Sequence, residues 1–287
     1  MKISEILQSG APSLSFEVFP PKSDAGYDSI REATERIAAL QPSYMSVTCR
    51  GGGSGKYTVD IAANLTRRFG VPVLAHLTCV DSTEEGVEGQ FDALRRAGID
   101  NLLALRGDVS EDSRPKDAWS YRYASELAGA AGAYGGFCVG GACYPEGHPE
   151  SARLCEDVEN LKKKVDAGCE FLTTQMFFDN NIFYNFLYKA REAGITVPVV
   201  AGIMPVTNAK QIRRIAALSG TALPQRFLHI VDRFGEKPAA MLQAGVAYAT
   251  EQIVDLYANG VRAVHVYSMN HPQVAEAISA NLSAILS

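Results

Sequence analysis

The sequence predicts a single (β/α)8 TIM barrel of the α/β class spanning residues 1–287, and three observations predict it. Short β-rich apolar runs alternate with longer stretches of helical spacing. The runs are mostly apolar, as expected of parallel strands covered by helices on their outer face. Polar residues gather at the C-terminal ends of the runs, where the βα loops of a parallel barrel converge. Eight strand–helix units in this length suggest a closed barrel. A doubly wound open sheet is the main rival, and strand count alone does not separate the two.

The expected elements follow in order. The first strand runs Leu14–Phe19, and Ile30, Ala33, Ile37 and Leu40 then recur at helical spacing. The second strand, Tyr44–Thr48, precedes the loop Gly51-Gly52-Gly53-Ser54-Gly55. The third and fourth are Val73–Thr78 and Asn101–Arg106, with Ala97-Gly98 ending the helix between them. After the fifth, Phe137–Tyr144, the apolar positions Val158, Leu161, Val165 and Ala167 mark a helix closed by Gly168. The sixth and seventh are Phe171–Phe177 and Val197–Met204, separated by a helix ending in Ala193-Gly194. The longest connection, 209–262, is expected to hold two helices split near Leu223-Pro224 or Gly235–Pro238. Asn259-Gly260 then leads into the eighth strand, Ala263–Ser268. Glycine after a helix supplies the left-handed cap. No repeat, linker tract or second domain is visible.

Composition narrows the function. The chain is 47% hydrophobic and 21% charged, ordinary for a globular protein. Its net charge of −5, with both signs interspersed, argues against a nucleic-acid-binding face. The run Lys162-Lys163-Lys164 reads by itself as a solvated helix face. No secretory signal and no membrane-spanning run are visible, and the six cysteines form no CxxC pair. The expectation is a cytoplasmic protein with reduced thiols and no membrane span. Neither a zinc site nor any other metal is expected, and the cysteines form no iron–sulfur pattern.

The polar residues at the strand ends are Glu17, Thr48, His76, Arg106-Gly107-Asp108, Tyr144 with Glu146 and His148, Gln175 and Asn270. Glu17 lies within the apolar stretch Phe16–Pro21, where desolvation raises a carboxyl pKa and suits it to general acid work. An ion pair with a neighbouring base is the structural alternative. Asp108 reads as a rim carboxylate behind a glycine that permits close backbone approach. Taken singly, His76 fits a core histidine and Gln175 a strand-end cap. The glycine loop after the second strand matches no nucleotide fingerprint, and serves equally as a phosphate cradle or a lid. Met176-Phe177-Phe178 with Phe183, Tyr184, Phe186 and Tyr188 reads as core packing ahead of a ring-stacking platform.

Together the motifs resemble the methylenetetrahydrofolate reductase family over essentially the whole chain, in the short bacterial form. They are Phe16-Glu17-Val18-Phe19-Pro20-Pro21, Ser46-Val47-Thr48, His76-Leu77-Thr78-Cys79 and Leu105-Arg106-Gly107-Asp108. Tyr144–Glu150, Leu161–Gly168, Thr174–Asp179, Gly202-Ile203-Met204-Pro205 and Tyr267-Ser268-Met269-Asn270 complete the set.

The resemblance implies a barrel that binds FAD along its C-terminal rim and reduces 5,10-methylenetetrahydrofolate to 5-methyltetrahydrofolate by a ping-pong scheme, with NADH or NADPH as reductant. It implies FAD contacts from Thr48, His76, Arg106, Gly107, Asp108, Tyr123, Ala124, Tyr144, His148, Asp157, Asn160 and Lys164. Glu17 becomes the general acid, and Asp108 tunes the flavin and meets the pterin. Gln175, Gln211 and His271 join Glu17 and Asp108 as folate contacts, and Gln175 and Thr48 also meet the nicotinamide. Cys49-Arg50 stand where many relatives have an aromatic residue and glycine, which puts an added cation beside the flavin. His271 stands where some relatives have arginine, which weakens the expectation of a folate-carboxylate clamp. The expected protein is a homo-oligomer without inhibition by adenosylmethionine, since no regulatory extension follows the eighth helix. A donor protein supplying the electrons stays open. The rival classes are a flavin-free barrel enzyme, such as a folate-dependent methyltransferase or a lyase, and a non-catalytic partner subunit.

Overall fold

The computed structural model describes residues 1–21, 23–49, 55–109 and 111–287. Eight parallel strands pair in sequence order and the eighth pairs with the first, so the sheet closes into a barrel and not an open sheet. They are β1 (Ser13–Val18), β2 (Tyr44–Val47), β3 (Val73–Thr78), β4 (Asn101–Leu105), β5 (Cys138–Cys143), β6 (Phe171–Thr174), β7 (Val199–Ile203) and β8 (Ala263–Tyr267). The helices in chain order are α1 (Ile3–Gln8), α2 (Tyr27–Ala38), α3 (Lys56–Phe69), α4 (Glu84–Arg96), α5 (Ala124–Tyr134) and α6 (Leu154–Asp166). They continue as α7 (Asn180–Glu192), α8 (Ala209–Ser219), α9 (Gln225–Phe234), α10 (Pro238–Ala258) and α11 (Pro272–Leu286).

Successive strand residues point to opposite faces, and the two faces have different chemistry. On β1, Leu14, Phe16 and Val18 join the main core with Ile37 of α2 and Ile278 and Leu282 of α11. The intervening Ser13, Ser15 and Glu17 share the other face, toward the barrel interior. Near its N-terminal mouth that interior is filled by Tyr44, Leu74, Leu103, Cys138, Phe171, Val200 and Ala263, together with Ile3 of α1. Each such large apolar side chain contributes about 1.5–3 kcal/mol by leaving water. The C-terminal half of the interior is polar, and the strand register gathers it. Glu17 lies opposite Ser46 on one side and Tyr267 on the other.

Two features depart from the sequence expectations. The connection between β7 and β8 holds three helices, because both chain breaks act: Pro224 caps α9 and Pro238 opens α10. The short helix α1 carries too little periodicity to be read from sequence and too few turns to stand alone. Tertiary bonds hold it. The Ile3 N–H donates to Asn101 Oδ1 at 2.8 Å, and Ser4 Oγ donates to Glu170 at 2.7 Å. The expected glycine caps are present, with Gly98, Gly168, Gly194 and Gly260 all at positive φ. The phenylalanines of the aromatic run are core, while Tyr184 is partly buried and Tyr188 exposed. Phe177 stacks on Phe183 and Phe178 on Phe227, with Phe177, Phe178, Phe183 and Phe186 all buried. Arg50 and the glycines at 51–53 lie outside the described residues, so the expectations for the added cation and the glycine loop do too.

Candidate active site

Glu17 sits on the inward face of β1, one residue before the strand ends, and is 8% exposed. Among the described residues its ion-pair partner is His76 of β3, with Nε2 at 3.7 Å from Oε2. That is too long for a hydrogen bond. Burial pushes the Glu17 carboxyl up to about 8, opposed by the Ser46 hydroxyl. Burial pushes His76 down to about 3. Near neutral pH the two therefore meet mainly as a carboxylic acid and a neutral imidazole. The ion-pair alternative for Glu17 is not what the geometry builds. His76 Nε2 is buried and has no hydrogen-bond partner among the described residues.

The loop after β8 fixes Glu17 from behind. Ser268 Oγ donates to the Glu17 carbonyl at 2.7 Å. Asn270 accepts from the Phe19 N–H at 2.7 Å and donates to the Phe19 carbonyl at 3.0 Å. Met269 and Asn270 adopt positive φ to make this turn. Asn270 thus stitches two strand ends together, a structural role for a residue the sequence places on the rim. Tyr267, on the same inward face as Glu17, donates its hydroxyl to the Thr174 carbonyl. It crosses β7 at Gly202, where an added Cβ would come within 2.3 Å of Thr174 O and 2.7 Å of Tyr267 Oη.

A second group lies on β3 to β6. Arg106 Nη1 donates to both Glu150 oxygens at 2.6 and 2.5 Å, and this pairing holds the Glu150 carboxyl below its ordinary range. Lys164 of α6 packs along β5 and donates to the Ala142 carbonyl at 2.6 Å, and burial lowers its pKa. Gly141 makes room for that stem, since a Cβ there would lie 2.7 Å from Lys164 Cδ. The buried Cys79 thiol is pushed up to about 12 by burial and by Glu126, against the pull of Lys164, Arg106 and Lys116. Lys164, Arg106 and Lys116, with the opposing Glu126, are thus the charges that act on the ends of β3 and β4. Gly107 has φ +87, and a Cβ on it would meet the Thr78 and Val80 side chains at 2.9 and 3.0 Å. Only glycine turns there without displacing its neighbours.

Tyr144 and His148 form an edge-to-face pair with centroids 4.7 Å apart. The Glu150 N–H donates to His148 Nδ1 at 3.1 Å, so a neutral His148 carries its proton on Nε2. Asp157 accepts from the His148 N–H and from Ser151 Oγ. Asp108 is exposed and, after burial, is the strongest influence raising the Tyr144 pKa. Thr48 accepts at its carbonyl from Thr58 Oγ1 at 2.9 Å. Tyr123 is exposed at the start of α5, with Lys116 Nζ 4.2 Å from its ring centroid, while its neighbour Ala124 is buried. Exposed Asn160 accepts from Lys163. Gln175 Oε1 accepts from the Met176 N–H, Gln211 is exposed in the first turn of α8, and His271 precedes α11. The structure thus joins Glu17 with His76, and Arg106 with Tyr144, His148, Asp157 and Lys164. Gln211 and Asn160 stand on helices away from these two groups' contacts.

Sequence reading missed Ser15, Ser46 and His265, which form a buried cluster beneath Glu17, and it missed Lys116 and the Glu150 partner of Arg106. The usable signal was period-two polarity, with serines at 13 and 15 leading to Glu17 on one face of an otherwise apolar strand.

Comparison with known proteins gives a consistent result. The family model described as methylenetetrahydrofolate reductase matches residues 2–283. The 5,10-methylenetetrahydrofolate reductase of Escherichia coli K12 is 31% identical over 271 residues, covering 94% of this chain and 90% of its own. Methylenetetrahydrofolate reductase (NADH) 1 of Zea mays is 33% identical over 300 residues, covering 99% of this chain. The chain spans about half the length of that plant relative. A solved structure from Clostridium thermocellum, of a protein that binds two copies of 5-methyl-5,6,7,8-tetrahydrofolic acid, superposes with TM-score 0.69. It covers 100% of this chain and 99% of its own at 16% identity, a likeness of fold alone.

Proposed function

The chain belongs to the methylenetetrahydrofolate reductase family, and we propose that it reduces 5,10-methylenetetrahydrofolate to 5-methyltetrahydrofolate with electrons from NADH or NADPH, by way of FAD. The observation that carries this reading is Glu17, a carboxyl buried at the reaction end of the barrel and held protonated by burial. With a pKa of about 8, roughly ten molecules in eleven carry the proton at neutral pH.

The residues present fit the cofactor. Arg106, Lys116 and Lys164 all act on Cys79, and with Arg106 released from Glu150 they supply the positive charge a diphosphate requires. The bare backbone at Gly107 permits close approach of a flat ligand, and Tyr144 with His148 offers an aromatic wall. Thr48, His76, Asp108, Tyr123, Ala124, Asp157 and Asn160 complete the set we assign to FAD. When bound, FAD supplies the hydride, taken first from the nicotinamide and given next to the folate.

The protein's own work is proton transfer and orientation. The imidazolidine ring of the folate opens only when its departing nitrogen is protonated, and Glu17 provides that proton. Opening leaves a cationic iminium, whose carbon becomes the methyl group of the product. Asp108 places a negative charge at the rim, where it stabilises that cation. Gln175, Gln211 and His271 orient the folate, and Gln175 and Thr48 meet the nicotinamide in the other half-reaction. A flavin-free barrel enzyme would need neither the cation cluster nor a buried neutral acid.

The test is an absorbance spectrum of the purified protein, followed under anaerobic conditions by NADH or NADPH and then methylenetetrahydrofolate. Flavin bands that bleach with the nucleotide and return with the folate support the proposal. A protein colourless after incubation with FAD overturns it.

A further inference from the structure

Arg106 stands directly after β4, and the segment that follows β5 brings Glu150 to it across the rim. Arg106 Nη1 donates to Glu150 Oε1 at 2.6 Å and to Oε2 at 2.5 Å, so one carboxylate takes both N–H groups of that nitrogen. Arg106 Nε donates to the Gly107 carbonyl at 3.2 Å, a bond that holds the guanidinium at the strand end independently of Glu150. The two partners differ in burial. The Arg106 side chain is 23% exposed and the Glu150 side chain 63%.

The backbone that carries Glu150 is pinned apart from this contact. The Ser151 N–H donates to the His148 carbonyl at 2.9 Å, and Ser151 Oγ donates to Asp157 Oδ1 at 3.1 Å. The His148 N–H donates to Asp157 Oδ2 at 3.2 Å, and the Glu150 N–H to His148 Nδ1 at 3.1 Å. The carboxylate can therefore leave Arg106 by rotation of its own side chain, with the loop in place and water at hand. The neighbouring acids are engaged otherwise. Asp157 holds that loop, and Glu126 accepts from the Arg122 and Tyr123 N–H groups in front of α5. Glu150 by contrast gives both oxygens to Arg106.

We infer that Glu150 competes with the diphosphate of FAD for Arg106, as a tethered anion that must let go before the cofactor can take the guanidinium. The inference rests on reading Arg106 as an FAD contact. Carboxylate and phosphate are alternative partners of one guanidinium, since both offer paired oxygens to the same N–H groups. Holding both at once would set the carboxylate beside a second anion. An ion pair this exposed is screened by water and salt and contributes little. That suits a contact that has to break. Such a contact lowers affinity by the fraction of molecules in which Arg106 is taken. It acts on the protein before binding, so it slows entry and leaves release alone. The rival arrangement has Glu150 buttressing Arg106 so that its other N–H groups face the cofactor, and it predicts the opposite sign.

FAD exchange separates the two. Release on dilution of the FAD-loaded protein, and rebinding, would each be followed by flavin fluorescence in the parent and in Glu150→Gln, which keeps the side chain's size and removes its charge. Glu150→Gln should bind FAD about two- to fivefold more tightly, the weight of one exposed ion pair, with the gain in the association rate and the dissociation rate unchanged. In an Arg106→Gln background the same substitution should have no effect, because the guanidinium it competes for is gone. Unchanged binding in Glu150→Gln overturns the inference, and weaker binding overturns it in favour of the buttress. A gain that appears in the dissociation rate, or that survives in the Arg106→Gln background, is plain charge repulsion and overturns it as well. If the Arg106 variant does not fold, the two rate constants of Glu150→Gln decide alone. A parent protein that does not bind FAD refutes the flavin reading and this inference with it, whereas a parent that binds while Glu150→Gln gains nothing refutes the inference alone.

Discussion

Replacing Glu17 with Gln removes one dissociable proton and little else. The side chain keeps its size in a site that is 8% exposed, and an amide is neutral, as the buried acid is near pH 7. The fold should therefore survive, with an unfolding midpoint that rises near neutrality, because the unfolded chain no longer gains by ionising this carboxyl. An exposed glutamate at its ordinary 4.5 would be protonated in roughly one molecule in 300 at pH 7, whereas a pKa of about 8 protonates most of the population. Losing a positioned general acid costs about 10²–10⁴ in rate, or about 2.7–5.5 kcal/mol of barrier. The loss should fall on one half-reaction only. Under anaerobic stopped-flow conditions, flavin reduction by the nicotinamide should stay within about twofold of the parent, since it needs no proton from Glu17. Reoxidation by methylenetetrahydrofolate should slow by the full factor. In the parent that second step should also fall about tenfold per pH unit above about 8, and in the variant this alkaline limb should vanish. Reoxidation in Glu17→Gln at near the parental rate refutes the assignment, and equal slowing of both steps points instead to a site that has lost its shape.

Lys164→Met keeps the half-buried stem that threads past Gly141 but deletes the ammonium. FAD affinity, followed by fluorescence titration, should drop about 10–100-fold, the worth of a charge-assisted hydrogen bond. Asp108→Asn removes a rim charge and should raise the flavin midpoint potential by roughly 20 mV, equivalent to about 1 kcal/mol for two electrons; an unchanged or lower value places that charge elsewhere. Stability should peak near pH 6.5. On the alkaline side folded Glu17 holds a proton that unfolded Glu17 has lost, so stability falls by about 1.4 kcal/mol per pH unit from 6.5 up to about 8. On the acid side the unfolded chain gains two protons at His76 and His265 that the folded chain refuses, opposed until about 4.5 by the one on Glu17. The fall there is about 1.4 kcal/mol per unit and then about twice that; urea midpoints that rise steadily from pH 5 to 9 contradict the scheme.

How much of this was legible in the sequence depended on whether the signal was local. Strand positions were legible because a parallel barrel strand is a short apolar run bounded by glycine, and each expected run overlaps one of β1 to β8. Glu17 was legible because a charge inside Phe16–Pro21 is conspicuous in one dimension. His265 was not. It sits in an apolar strand like any core histidine, and its meaning lies in Ser15 and Ser46, 250 and 219 residues away in sequence. The same holds for Lys164, which hides in a basic run. Its neighbour Lys162 pairs with Asp166 and Lys163 with Asn160 on the surface, while Lys164 alone turns inward at Gly141. Strand count could not choose a barrel over an open sheet, because closure is a property of the β1–β8 pair.

The barrel separates its apolar filling from its polar residues along its axis, and this explains how the proposed general acid can be built from neutral neighbours. At the N-terminal mouth, Ile3, Leu74, Leu103, Phe171 and Val200 fill the interior with apolar contact. That filling makes the polar half expensive to charge. An arginine beside Glu17 would have settled the desolvation cost, but it would have locked the carboxyl as a carboxylate with no proton to give. The structure instead surrounds Glu17 with groups that stay neutral near pH 7: Ser46, His76 and Tyr267. Among the described residues, Arg106, Lys116 and Lys164 act instead on Cys79, at the end of β3. Moving one positive charge from that cluster to the Glu17 pocket would leave the fold intact and remove the acid.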